Sequence, residues 1–147
     1  MVASNIIPNS VGTYILIVRL EEDRRIVIGS LGEILFPRGI YAYVGSAMGP
    51  GGLRARIMRH LRHEKRKFWH IDFLLGEASI IEVIIIPAPE RLECRIARFL
   101  IERGVRYVPR FGSSDCRCPS HLFVVDCLEG LYRLLELFGV KYVVFRP

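Results

Sequence analysis

Two nine-residue runs rich in β-branched and aliphatic residues, GTYILIVRL at 12–20 and SIIEVIIIP at 79–87, constrain this chain more than any other feature. Both are far shorter than the roughly 18 apolar residues of a spanning helix, and turn or charged residues flank them as they flank strands. The first run breaks at EEDR and resumes at RRIVIG, which predicts a hairpin between the two. EILF and IYAYVG read as two further short strands separated by PRG, and SIIEVIIIP as a buried strand. Helical character is predicted from Leu53 to about His63, from Pro89 through about Arg103 with Gly104 as stop signal, and near LEGLYRLLELF. HLFVV and VKYVVF read as strands in the tail. Hairpins first and mixed elements later predict an α+β sheet with helices packed on it.

A chain of 147 residues is long enough for one domain with its own core, and it shows no internal repeat, low-complexity tract or linker. At 51% apolar residues without a spanning run, it reads as a soluble globular protein. The opening MVASNIIPNS lacks the basic and apolar regions of a secretory signal, so a cytoplasmic location is expected. Glutamine is absent and asparagine occurs only at Asn5 and Asn9, a bias reported for hyperthermophile proteins. The formal charge of +6 suits an anionic partner and is equally a common solubility device.

The placement of charge is more informative. Arg54, Arg56, Arg59, Arg62, Lys65, Arg66 and Lys67 crowd into one segment opposed only by Glu64. Such a pole suits a phosphate backbone, with salt-dependent affinity, and it is also what a solvated helix face looks like. The segment follows YVGSAMGPGG, a glycine-rich turn without the Lys-Ser/Thr ending of a nucleotide-binding loop. At 100° per residue, Leu53, Ile57 and Leu61 form an apolar arc with Arg56 and His60 along its edge, pointing obliquely at the sheet. Arg54, Arg59 and Arg62 lie farther round, toward solvent or a phosphate. The helix start after these glycines leaves N–H groups and a dipole for an anion, although a plain tight turn explains the same glycines. In the next helix Arg91, Arg95, Arg98 and Glu102 form a solvated stripe and Leu92, Ile96, Phe99 and Leu100 a buried one. Glu93 falls on the buried side, where a divalent cation or an arginine would offset its cost; the helix dipole also favours a glutamate there.

Gly12-Thr13-Tyr14, Tyr43-Val44-Gly45, Arg56-x-x-x-His60 and Glu93 in this order resemble the GIY-YIG nuclease superfamily. YVGSAMGPGGL, FWHIDFLL, LEC and FGSSDCRCPSHLF bring the whole chain closest to an uncharacterised subgroup, whose members can be fused to an endonuclease III-like repair enzyme. A literal Gly39-Ile40-Tyr41 is read as a decoy, because Gly39 to Gly45 is too short for two strands and a turn. The resemblance implies a single GIY-YIG-like α+β domain over 1–147, with a core at about 12–103 and a C-terminal extension at about 104–147. Its sheet would be mainly antiparallel, flanked by helices, with extra C-terminal elements. It further implies Mg²⁺- or Mn²⁺-dependent hydrolysis of DNA phosphodiesters, in DNA repair or processing, and no membrane. Tyr14 would be the base or would orient water with Tyr43 beside it, Arg56 would clamp the phosphate, His60 would bond Tyr14 or relay a proton, and Glu93 would hold the metal. A free tyrosine is ionised about one part in a thousand at pH 7, so activation must supply roughly 4 kcal/mol, which one cation about 4 Å away can provide in a partly screened site. The alternatives are a non-catalytic DNA-binding module and a repair-protein interaction domain.

Two signatures stand outside that mechanism. In FWHIDFLL, a strand would set His70 and Asp72 on one face, as a metal site or as a structural hydrogen bond. SDCRCPSH offers Asp115, Cys116, Cys118 and His121 at a spacing unlike the paired cysteines of a zinc finger. Cys94 or Cys127 could complete four zinc ligands if the fold brings them near. A disulfide, inert thiols and a phosphate-contacting loop are the other readings.

Overall fold

The computed structural model describes residues 6–147. Strand β1 (Gly12–Leu20) is central, and every residue from Gly12 to Val18 is buried. It pairs antiparallel along its whole length with β4 (Gly39–Ala47) on one edge and with β5 (Ser79–Pro87) on the other, with a bulge at Ile17/Val18. Strands β6 (Leu122–Val125) and β7 (Val143–Phe145) add outside β4 and β5, giving the antiparallel order β6-β4-β1-β5-β7. The segment after residue 104 thus supplies both outer strands.

The expected hairpin between the first run and RRIVIG does not form. A strand has only two hydrogen-bonding edges, and β4 and β5 occupy both edges of β1. Strand β2 (Arg24–Val27) pairs instead with β3 (Glu33–Phe36) as a separate two-stranded ribbon.

Side chains of β1 alternate between two cores, as a period of two requires. Tyr14, Leu16 and Val18 join Leu53 and Ile57 of α1 (Gly52–Leu61), Ile71 and Leu74 of α2 (His70–Leu75), and Phe36 of the ribbon. Ile15 and Ile17 join Ile96, Ala97 and Leu100 of α3 (Glu93–Glu102) with Leu131 and Leu135 of α4 (Leu128–Phe138). The result is the expected α+β architecture, a five-stranded antiparallel sheet between helical layers.

Two local expectations change. Helix α3 starts at Glu93 rather than Pro89: its first bond runs from Ile96 N–H to the Leu92 carbonyl at 2.8 Å, and the Ala88 N–H still reaches the Val11 carbonyl at 3.4 Å, which holds the chain entering Pro89 against the start of β1. FWHIDFLL is not a strand: His70–Leu75 is helical, and the Asp72 carboxylate caps it by accepting from Phe68 N–H at 2.8 Å and Trp69 N–H at 2.9 Å. As the spacing predicts, Gly39-Ile40-Tyr41 lies on the same strand as Tyr43, with Tyr41 two positions from it on the same face.

Candidate active site and candidate metal centre

Register carries Tyr14 and Tyr43 together. Tyr14 sits opposite Gly45, and Tyr43 precedes Gly45 by two residues on the same face. Only hydrogen fits at Gly45, because a Cβ there would lie 2.4 Å from the Cζ of Tyr14. The Tyr14 ring therefore crosses β4 and meets α1, where Arg56 and His60 occupy successive turns. Tyr14 Oη and His60 Nε2 are 2.7 Å apart, and the Tyr43 and His60 rings stand edge to face with centroids 6.4 Å apart. Arg56 donates from Nη1 to the Ser46 carbonyl at 2.8 Å, and its guanidinium lies 4.5 Å from the centre of the Trp69 ring. Trp69, the only tryptophan of the chain, also receives Arg59 at 4.2 Å. It organises both arginines, a role not read from the sequence.

Burial dominates the electrostatics. It pushes the Tyr14 phenol well above its usual range, against the charge and hydrogen bonding of Arg56, while Glu93 pushes it further up. Burial, then Tyr14 and Glu93, raise Tyr43 likewise. Both phenols thus feel the opposing charges of the Glu93 carboxylate and the Arg56 guanidinium. Burial lowers His60 to about 3, so its imidazole is neutral. His60 Nδ1 is buried and lacks a partner. A neutral imidazole carries one N–H, so either the Tyr14 hydroxyl donates to Nε2 and the Nδ1 proton is unpaired, or Nε2–H donates to Tyr14 Oη and the phenol proton is unpaired. Tyr14 is 1% exposed, whereas Tyr43 and Arg56 are half-buried.

Several expected phosphate contacts are engaged elsewhere. The N–H groups opening α1 are not free for an anion: Leu53 donates to Ser10 O at 2.8 Å and Arg54 to Pro8 O at 2.9 Å. Gly52, with φ +57°, admits this approach, since a Cβ would lie 2.3 Å from Ser10 O. Arg54 Nε donates to Ile7 O at 2.8 Å. Arg59 forms a two-pronged pair with Asp72 at 3.0 Å through both nitrogens. Lys65 donates to His60 O at 3.0 Å and to Arg62 O, closing the last turn of α1, and Lys67 lies over Phe73. Arg62 and Arg66 have no side-chain hydrogen bond or ion pair among the described residues and are exposed, next to Phe68 at 76% exposure. A groove of ≈940 Å³ between the end of α1 and β7 is lined by His60, Arg62, Lys65, Lys67 and Arg146, but by neither tyrosine nor Glu93.

His70 and Asp72 do not pair with each other. His70 Nδ1 accepts from Gly112 N–H at 2.8 Å, and Asp72 belongs to Arg59 and the α2 cap. Asp115 is exposed and outside the neighbouring cluster. Cys116, Cys118 and His121 do converge, and Cys94 from the first turn of α3 completes the group; Cys127 is exposed and takes no part. The four ligand atoms all lie within 4.8 Å of one another, a Cys₃His set able to hold a metal ion. Its donors are soft, so it suits zinc better than magnesium. Burial pushes the Cys94 and Cys116 thiols up. Glu93 lies between the two centres: its carboxylate is 3.8 Å from His121 Nδ1 and 3.9 Å from Arg91, with no closer partner among the described residues.

No helix among the described residues is long and apolar enough to cross a membrane. Comparison with curated proteins and with solved structures gives no match. One family model covers most of the chain, from Thr13 to Val140, and so takes in both tyrosines, Arg56, His60, Glu93 and the Cys₃His set. The chain belongs to the family described as "Domain of unknown function DUF123".

Proposed function

We propose that this chain is a GIY-YIG-like endonuclease that hydrolyses DNA phosphodiester bonds with a divalent cation. The observation that carries the reading is the convergence of Tyr14, Tyr43 and His60 beside Arg56, with both phenols within the field of Glu93. Exposure refines the roles expected from the resemblance. Tyr43 and Arg56 are the groups a phosphate reaches first, and Tyr14 with His60 stands behind them. With its proton on Nε2, His60 would donate to a Tyr14 phenolate and lower the cost of its charge, and the charge of Arg56 acts in the same direction. Arg56 is held by Ser46 O and Trp69 in a fixed pose that can meet charge developing on phosphate oxygens.

Glu93 fits the implied Mg²⁺ or Mn²⁺. It is a hard oxygen donor with only loose ion contacts, and these cations are commonly held by one or two carboxylates plus substrate phosphate and water. When bound, the ion would neutralise charge on the leaving oxygen. Glu93, in the first turn of α3, would hold the ion.

One observation favours a second reading, a DNA-binding module that breaks no bond: Tyr14 is buried and its hydroxyl is already engaged. End-labelled nicked, branched and single-stranded DNAs incubated with Mg²⁺ or EDTA separate the two. Metal-dependent products lost in Glu93→Ala and Arg56→Ala support the enzyme. Retention of every substrate intact, with the wild-type chain folded and bound, supports the module.

A further inference from the structure

We infer that Cys94, Cys116, Cys118 and His121 form a closed structural zinc site that ties the start of α3 to the entry of β6. This goes beyond hydrolysis and does not depend on it. A tetrahedral ion with bonds of about 2.3 Å to sulfur and 2.0 Å to nitrogen sets its ligand atoms roughly 3.5–3.8 Å apart. The His121 Nε2 stands 3.3 Å from Cys116 Sγ and 3.8 Å from Cys94 Sγ, already near those separations. All four atoms share one small volume, and all four cysteines of the chain are free thiols.

The imidazole supplies an independent argument. His121 is 1% exposed, its Nδ1 lies 3.2 Å from Val44 O, and its Nε2 points at the thiols. Donation from Nδ1 to a backbone carbonyl fixes the tautomer that leaves Nε2 as a metal ligand, the usual outer support of zinc-bound histidine. A disulfide between any two of the thiols would leave the buried Nε2 and the third sulfur only each other as partners.

The surrounding chain gives the site a purpose. Residues 111–121 contain no helix or strand, and the loop is closed by Arg110 N–H to Pro119 O at 2.7 Å and His121 N–H to Phe111 O at 2.8 Å. Three ligands come from this loop and the fourth from α3, so one ion crosslinks segments more than twenty residues apart in sequence. Four protein ligands leave no open position, as in structural rather than catalytic zinc sites. Cys94 is the neighbour of Glu93, so the ion also fixes the helix turn from which that carboxylate projects.

The test is metal content of the purified full chain, kept reduced and free of chelator. About one zinc per chain is expected, released by a thiol-directed mercurial and absent from Cys116→Ser and Cys118→Ser but retained by Cys127→Ser. Cobalt added to the metal-free wild-type chain should give thiolate charge-transfer bands and tetrahedral visible absorption, a readout that stands even where a variant fails to fold. Zinc removal should lower the midpoint of thermal unfolding by more than about 10 °C. A folded, reduced wild-type chain that takes up neither zinc nor cobalt would overturn the site, as would zinc binding unchanged in Cys116→Ser. A cysteine pair found oxidised in metal-free protein as isolated would overturn it too. None of these readouts uses DNA, so failure here is separable from failure of the hydrolytic reading.

Discussion

Tyr14 Oη and His60 Nε2 are 2.7 Å apart although 46 residues separate them, and the imidazole is held neutral in the core. Burial of the imidazole sets a pH dependence of stability. In the unfolded chain histidine takes a proton near pH 6.5; in the folded chain His60 does so only near 3. Between those values the unfolded state binds the extra proton, so stability is full above about 6.5 and falls as pH drops toward 3. The slope is at most about 1.4 kcal/mol per pH unit for one group. His60→Gln should flatten the curve of unfolding free energy over this window relative to wild type, with the contribution of the other histidines common to both. An identical slope in the variant would mean that His60 is not the buried neutral group described.

Gly45 is the position where the strand surface yields to the Tyr14 ring. A Cβ at Gly45 would meet Tyr14 Cζ at 2.4 Å and Oη at 2.5 Å, and the ring is buried in the core with Leu53 and Ile57 of α1. Gly45→Ala should cost about 1–3 kcal/mol in urea unfolding, as overpacked cores do. It should also separate Tyr14 from His60, which a shifted His60 nitrogen-15 pattern would reveal. Ala at Gly49, whose Cβ would meet nothing within 4 Å, is the matched control and should change stability little.

Asp72 gathers more of the site than its distance from the tyrosines suggests. Its fully buried carboxylate accepts Arg59 and the N–H groups of Phe68 and Trp69, which together hold its pKa below the usual carboxylate value against burial. Arg59 and Arg56 both rest on the Trp69 ring. Asp72→Ala leaves a mostly buried guanidinium unpaired and α2 uncapped, so a loss of about 3–5 kcal/mol is expected in chemical denaturation. Arg59→Ala should lose less, because the Asp72 carboxylate keeps its two backbone donors. Equal losses in the two variants would show that the ion pair, rather than the cap, carries the effect.

The parts of this arrangement that were legible in the sequence are those set by short-range periodicity. The apolar, β-branched first run put Tyr14 on a strand, helical spacing put Arg56 beside His60, and the distance from Gly39 to Gly45 kept Tyr41 and Tyr43 on one strand. What was not legible depends on which distant segment arrives first. RRIV resembles the partner of a hairpin, but both edges of β1 are filled by strands that lie later in the chain. The start of α1 looks ready for an anion until Pro8 and Ser10 are seen against it. Cys116, Cys118 and His121 lack the spacing of a zinc finger because the fourth donor, Cys94, comes from another element across the sheet edge.

The basic segment divides by the same logic into side chains that hold the fold and side chains free to meet a polyanion. Arg54, Arg59 and Lys65 are bound to Ile7 O, Asp72 and the end of α1, so substituting them should lower stability and affect DNA binding only through that loss. Arg62 and Arg66 are exposed and unengaged among the described residues. Each phosphate contact removed should reduce the slope of log affinity against log salt by about 0.9 on duplex DNA. Arg62→Ala and Arg66→Ala should therefore each weaken binding and flatten that slope by roughly one contact, with unfolding midpoints unchanged. Phe68, 76% exposed between them and Trp69, has a different signature. Phe68→Ala should weaken single-stranded DNA by about 1–3 kcal/mol through lost base stacking while leaving the salt slope intact. Filter binding or fluorescence anisotropy across a salt series reads both quantities at once. A salt slope that responds to Arg54 and Arg59 but not to Arg62 and Arg66, at matched stability, would place the polyanion on the other side of α1.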